Sequence, residues 1–190
     1  MKVQEKHNVM ETLDLERICD GFPGLTPGAG GYLLEAAVLC LNRQRHSAGV
    51  VLKVTGSIEK EIALDWKLQV DSQLDRTWRD QNVTTEYGAL CLAMLLVPLL
   101  TEYVVLSQAI PGEGFDYYLI KKNKAELNPE IFQYDAKLEV SGIFQGSMSD
   151  VNRRFLLKVI QTEKSLDQDC PVYICIVEFS LPQTRFEENP

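Results

Sequence analysis

The sequence predicts a single α/β domain, with a mixed central sheet flanked by helices. Three observations predict it. Runs of β-branched and apolar residues alternate with segments of helical spacing, in the order α, β, β, α, then β, β, β, α, β. No internal repeat or low-complexity linker divides the 190 residues, a length one core can serve. The last apolar run, Val-Tyr-Ile-Cys-Ile-Val-Glu-Phe-Ser from Val172, is hydrophobic nearly throughout, as in a strand covered on both faces.

Taken in order, residues 1–18 are polar and read as a short helix or a loose segment. Residues 19–31 hold five glycines and two prolines and read as a loop. Residues 32–43 place Leu33, Ala36, Ala37, Cys40 and Leu41 at helical spacing. Residues 48–55 and 58–69 read as a hairpin, the second strand alternating Ile62, Leu64, Trp66 and Leu68. A short amphipathic turn carries Trp78, and Asn82 is the expected cap of a buried helix over 84–97, ended or kinked by Pro98. This opening α-β-β-α unit, residues 32–100, either extends the sheet of the second unit or packs against it.

The second unit, residues 101–181, begins with strands over 101–109 and 115–121, joined by Pro111-Gly-Glu-Gly114. A polar connector over 122–133 leads to a strand over 136–143. A helix over 148–163 follows, capped by Ser147 or Ser149, with Val151, Phe155, Leu156, Val159 and Ile160 expected to face inward. The apolar strand over 172–180 closes the unit, and the tail from Pro182 is polar.

Composition narrows the function classes. A net charge of −8 gives no global attraction to nucleic acid or anionic lipid, so a nucleic-acid enzyme needs local basic groups or a metal. Five cysteines without a CxxC pair read as reduced thiols, and two histidines leave no histidine-rich metal site. No nucleophile stands with a histidine base, which argues against serine or cysteine hydrolysis. The polar N-terminus has no signal-peptide core, and the apolar run over 88–100 falls short of the roughly 20 residues of a membrane span. A cytoplasmic protein without a membrane partner is expected.

Chemistry points to two acids in apolar strands, Asp116 after Phe115 and Glu139 between Leu138 and Val140. On neighbouring strands they could share Mg²⁺ or Mn²⁺, which prefer carboxylate oxygen and leave positions for water and phosphate. The segment 84–180 resembles the PD-(D/E)xK nuclease superfamily, the restriction-endonuclease-like fold. A helix precedes a strand, a hairpin brings in Asp116, the next strand carries Glu139, and a helix and strand close the unit. The resemblance implies Asp116 and Glu139 as metal-binding acids and Glu86, on the preceding helix, as an additional one. The family's lysine should stand two residues after Glu139, where this chain has Ser141. Some members place it on the following helix, which here carries Lys158, with Gln161 close by. Lys158 is thus the expected catalytic amine, with Ser141 and Gln161 on the substrate side.

The resemblance implies a metal-dependent phosphodiesterase acting on nucleic acid. The alternative is a non-catalytic interaction or regulatory protein on the same scaffold, with a protein partner or a second copy of itself. In that reading Asp116 bonds nearby backbone amides, Glu139 faces solvent, Glu86 answers the helix dipole and Lys158 is solvated. An edge position for the last strand would make it a self-assembly surface. Asp65-Trp-Lys67 also spells D-x-K, but reads as a core tryptophan between solvent-facing charges. Glu35 is expected to pair with Arg43 or Arg45, or to reach the site. Arg153-Arg154 is a small basic cluster able to touch phosphate.

Overall fold

The chain builds one sheet from both units. The structure, a computed structural model, describes residues 10–127, 133–163 and 170–189. Among them eight strands pair as β1 (Glu11–Asp14), β3 (Lys60–Asp65), β2 (Val50–Gly56), β8 (Gln183–Glu188), β7 (Val172–Glu178), β6 (Ala136–Ile143), β5 (Tyr117–Lys121) and β4 (Tyr103–Gln108), in that spatial order. The first unit therefore extends the sheet of the second. Strands β4, β5 and β6 form an antiparallel meander, and β7 runs parallel to β6 with Glu139 opposite Ile174.

The two faces are covered unequally. Helices α1 (Pro27–Arg43) and α3 (Gln81–Leu100) bury Leu33, Leu41, Leu92 and Leu96 against one face, with Leu52, Leu119, Leu138 and Cys175 from the strands. Helix α5 (Met148–Thr162) covers part of the other, where Val151 and Phe155 meet Ile174 and Ile176. Alternation along β6 follows: Leu138 and Val140 enter the α1–α3 core, while Lys137, Glu139, Ser141 and Ile143 share the α5 face. A short helix, α2 (Ser72–Thr77), packs Leu74 beside Trp78, Ala36 and Leu39.

Helix α3 is long and apolar enough by composition to cross a membrane, longer than its apolar stretch suggested. It is instead a core helix, with 61% of its apolar window buried. Asp80 rather than Asn82 caps it, accepting from the Asn82 and Val83 amides. Pro98 lies inside it, and the Lys122 amine closes the end by donating to the Pro98 and Thr101 carbonyls at 2.6 and 2.8 Å.

Several expectations are corrected. The described part of the polar N-terminal segment is β1 followed by a 3₁₀ turn, Leu15–Asp20, while residues 1–9 lie outside the described residues. The Gly/Pro loop is shorter than expected, because Thr26 caps α1 and Pro27 opens it. Gly30 then fits the helix against the 3₁₀ turn, since a Cβ there would stand 2.2 Å from the Ile18 carbonyl oxygen. The connector begins with α4 (Lys122–Leu127), and its residues 128–132 lie outside the described residues.

The polar tail contains β8, which pairs with β2 on one side and β7 on the other. Strand β7 is therefore interior and offers no edge for self-assembly. Leu156 and Ile160 do not face inward: with Leu157 they are 59%, 62% and 57% exposed, on the outer side of α5. Glu35 pairs with neither arginine but accepts from the Trp78 indole at 3.0 Å, and Arg43 pairs with Asp75. Asp65 and Lys67 are exposed around a half-buried Trp66, as expected. Cysteines 19, 40, 91 and 175 are reduced thiols, as expected, with Cys40 and Cys175 pushed up to about 12 chiefly by burial.

Candidate functional site

Three elements bring the polar groups together beneath α5. Strand β6 supplies Glu139 and Ser141, the bend before β5 supplies Asp116, and α5 supplies Arg154, Lys158 and Gln161. Asp116 lies one residue before β5 but continues its ladder: its amide donates to the Leu138 carbonyl and its carbonyl accepts from Ala109. Its carboxylate Oδ2 accepts from the Val140 amide at 2.8 Å. The acid thus crosses to β6, rather than bonding the amides of its own turn. Burial pushes its carboxyl up, against the pull of that amide and of Lys158.

Glu139 is 1% exposed, so the solvent-facing reading fails. Its Oε1 stands 2.5 Å from the Lys158 amine and accepts from Gln161 Nε2 at 3.1 Å. Its Oε2 is buried and has no hydrogen-bond partner among the described residues. Burial first and the Asp116 charge second push this carboxyl up to about 7, against Lys158 and Gln161.

Lys158 is no solvated helix residue, since its side chain is only 20% exposed and paired. Gln161 ties the cluster, accepting from Lys158 at 3.0 Å and reaching the Gly114 carbonyl at 3.4 Å in the turn before Asp116. Ser141 is buried and accepts from Arg154 Nη1 at 2.7 Å. Arg154, Lys158 and Gln161 recur at i, i+4 and i+7, so one stripe of α5 lies over the acids.

Glu86 sits in the second turn of α3, beyond reach of a first-turn dipole contact, and accepts from the Gly142 amide at 3.3 Å. Gly142 permits this approach, because a Cβ there would stand 2.5 Å from the Thr85 carbonyl oxygen. Burial pushes Glu86 up, while Gly142, Lys158 and Arg154 pull it down and the Asp116 charge adds to the push. Among the described residues no group of three or more His, Cys, Asp or Glu side chains is placed to hold a metal ion. Glu86 stands within the electrostatic field of the pair without converging on it as a third ligand.

No protein-family model matches this chain, and comparison with curated proteins and with solved structures gives no significant match.

Asp116 and Glu139 offer hard carboxylate oxygens, the donor type that a magnesium-class ion takes, and among the described residues Glu139 Oε2 has no hydrogen-bond partner. They do not form a closed cage of protein ligands. Sequence reading brought out Asp116, Glu139, Lys158 and Gln161, and these do meet. It gave no weight to the contact between Ser141 and Arg154. The i, i+4, i+7 spacing of Arg154, Lys158 and Gln161 along α5 is the signal that could have found it.

Proposed function

We propose that the chain is a metal-dependent phosphodiesterase of the nuclease type acting on nucleic acid, with Asp116 and Glu139 holding Mg²⁺ or Mn²⁺. The observation that carries the reading is Glu139 Oε2, a buried carboxylate oxygen without a partner among the described residues, in a carboxyl held near neutrality beside a second acid. Desolvating a charged group costs several kcal/mol, on the order of a whole domain's margin of stability. A desolvated carboxyl perturbed by a second acid beside it marks a candidate functional site. The element order adds support. Helix α3, the meander β4–β5–β6, helix α5 and the parallel strand β7 follow the succession that the nuclease resemblance implies.

A bound cation of this class lowers the pKa of water and stabilises charge on a phosphodiester. The chain's own groups prepare the site. The Val140 amide fixes Asp116, and Lys158 with Gln161 fixes Glu139 Oε1, so neither carboxylate is free to swing. Lys158 is the amine able to orient an attacking water, in place of the lysine absent from position 141. Glu86, its carboxyl raised by burial, is a proton acceptor at the rim of the cluster.

Calorimetric titration with Mn²⁺ tests this reading. Saturable binding to the wild type, lost in the isosteric Asp116→Asn/Glu139→Gln double variant, is the expected result. Equal heats from the two proteins would defeat it.

A second reading has its own observation. Leu156, Leu157 and Ile160 form an exposed apolar patch on α5, on the outer side of the helix whose polar stripe covers the acids. With Ser141 at the lysine position and Lys158 already paired to Glu139, this favours a non-catalytic protein that binds a protein partner or its own copy. Mutating Leu157→Glu and following oligomeric state and partner capture separates this reading from the first.

A further inference from the structure

Position 141 has a serine where the resemblance expects a cation, yet a cation is there. Arg154 reaches Ser141 Oγ from α5 at 2.7 Å. Ser141 lies two residues beyond Glu139 on the same face of β6, and Arg154 lies one turn before Lys158. The charges of Arg154 and Lys158 both reach Glu86. The guanidinium therefore stands over Ser141 on the Glu86 side of the cluster, where the β6 side chain itself carries no charge. A guanidinium has five N–H donors. Among the described residues Ser141 is the one hydrogen-bond partner Arg154 has. Its neighbour Arg153 is different, exposed and committed to Asp150.

We infer that Arg154 is the phosphate-binding cation of this site, and that Ser141 is the positioning residue that seats it. The inference rests on the nuclease reading and deepens it. A planar guanidinium fixed through one N–H leaves the rest of its fork for two oxygens of one phosphodiester, a geometry a lysine amine does not reproduce. The chain's net charge of −8 makes such a local cation necessary for any polyanion to approach the acids.

The probe is a fluorescein-labelled DNA hairpin with a single-stranded tail, held with Ca²⁺ and followed by anisotropy across a salt series. Arg154→Ala should bind roughly 10- to 100-fold more weakly, and the salt slope should fall by about 0.7–0.9, one phosphate contact. Arg154→Lys should recover the slope but not the full affinity. Ser141→Ala should weaken binding with the slope unchanged, the signature of a lost seat rather than a lost charge. Wild-type affinity and slope in Arg154→Ala would overturn the inference alone. Should that variant fail to fold by its melting curve, wild-type affinity in both Arg154→Lys and Ser141→Ala would overturn it. A wild type that binds neither the hairpin nor Mn²⁺ would overturn the nuclease reading, and this inference with it.

Discussion

The amine of Lys158 stands 2.5 Å from Glu139 Oε1, joining helix α5 to the middle of β6 through a buried ion pair. Removing one partner of such a pair strands the other. Lys158→Met should cost about 3–5 kcal/mol in urea unfolding above neutral pH. The cost should shrink well below pH 7, where the stranded Glu139 takes a proton. A loss under about 1 kcal/mol at alkaline pH would mean that solvent screens the pair.

The Glu139 carboxyl, raised from 4.5 to about 7 first by burial and then by Asp116, sets a pH dependence. The folded protein keeps a proton that the unfolded chain releases above 4.5. This group's stabilising share is therefore complete below 4.5 and is lost as pH rises through about 7. Asp116 and Glu86, both pushed up by burial, act in the same direction. Stability of the wild type should fall across this window, at up to about 1.4 kcal/mol per pH unit from Glu139. Glu139→Gln should flatten the fall. An unchanged slope in that variant would place the titration elsewhere.

Gly142 is where α3 crosses β6. A methyl group there would stand 2.5 Å from the Thr85 carbonyl oxygen and 2.7 Å from its Cγ2, so the helix backbone must move. Gly142→Ala should cost about 1–3 kcal/mol or more and loosen the bond from the Gly142 amide to Glu86. Chemical denaturation measures the cost, and a neutral variant would contradict the packing.

Glu178 is a fully buried acid away from the site, and it organises the turn between β7 and β8. Its carboxylate accepts from the amides of Gly146, Ser180 and Leu181 at 3.1, 2.6 and 2.9 Å, and from Gln183 Nε2 at 3.1 Å. Glu178→Ala leaves the buried Gln183 amide and three part-buried backbone donors without this acceptor, at about 1–3 kcal/mol for each that water does not reach. Mn²⁺ affinity of any folded fraction should stay at the wild-type value. A loss of metal binding would tie this turn to the acid pair.

Much of the fold is legible because the hydrophobic pattern carries it. The β-branched runs became β2, β6 and β7, and the apolar helical spacing became α1 and α3. Strand β8 was hidden because Gln183, Thr184 and Arg185 look like a polar tail. Their polar groups are satisfied inside the sheet, Thr184 Oγ1 by the Ile176 carbonyl and Gln183 by Glu178, while Arg185 lies 3.8 Å over the Phe155 ring. Propensity does not register bonds made across strands. On α5 the apolar residues outnumber the places the sheet can cover, so spacing alone put Leu156 and Ile160 on the wrong side. At the site, acids in apolar strands are visible in one dimension. The Arg154–Ser141 contact joins residues thirteen apart on different elements and becomes visible only when α5 lies on β6.

The most direct measurement is Mn²⁺-dependent cleavage of end-labelled single-stranded and duplex DNA and RNA by the wild type, Asp116→Asn and Glu139→Gln, purified in parallel. The wild type should give products from at least one of these polymers, abolished by chelation and absent from both variants. Cleavage that persists in the variants, or no Mn²⁺-dependent product from any polymer, would contradict it.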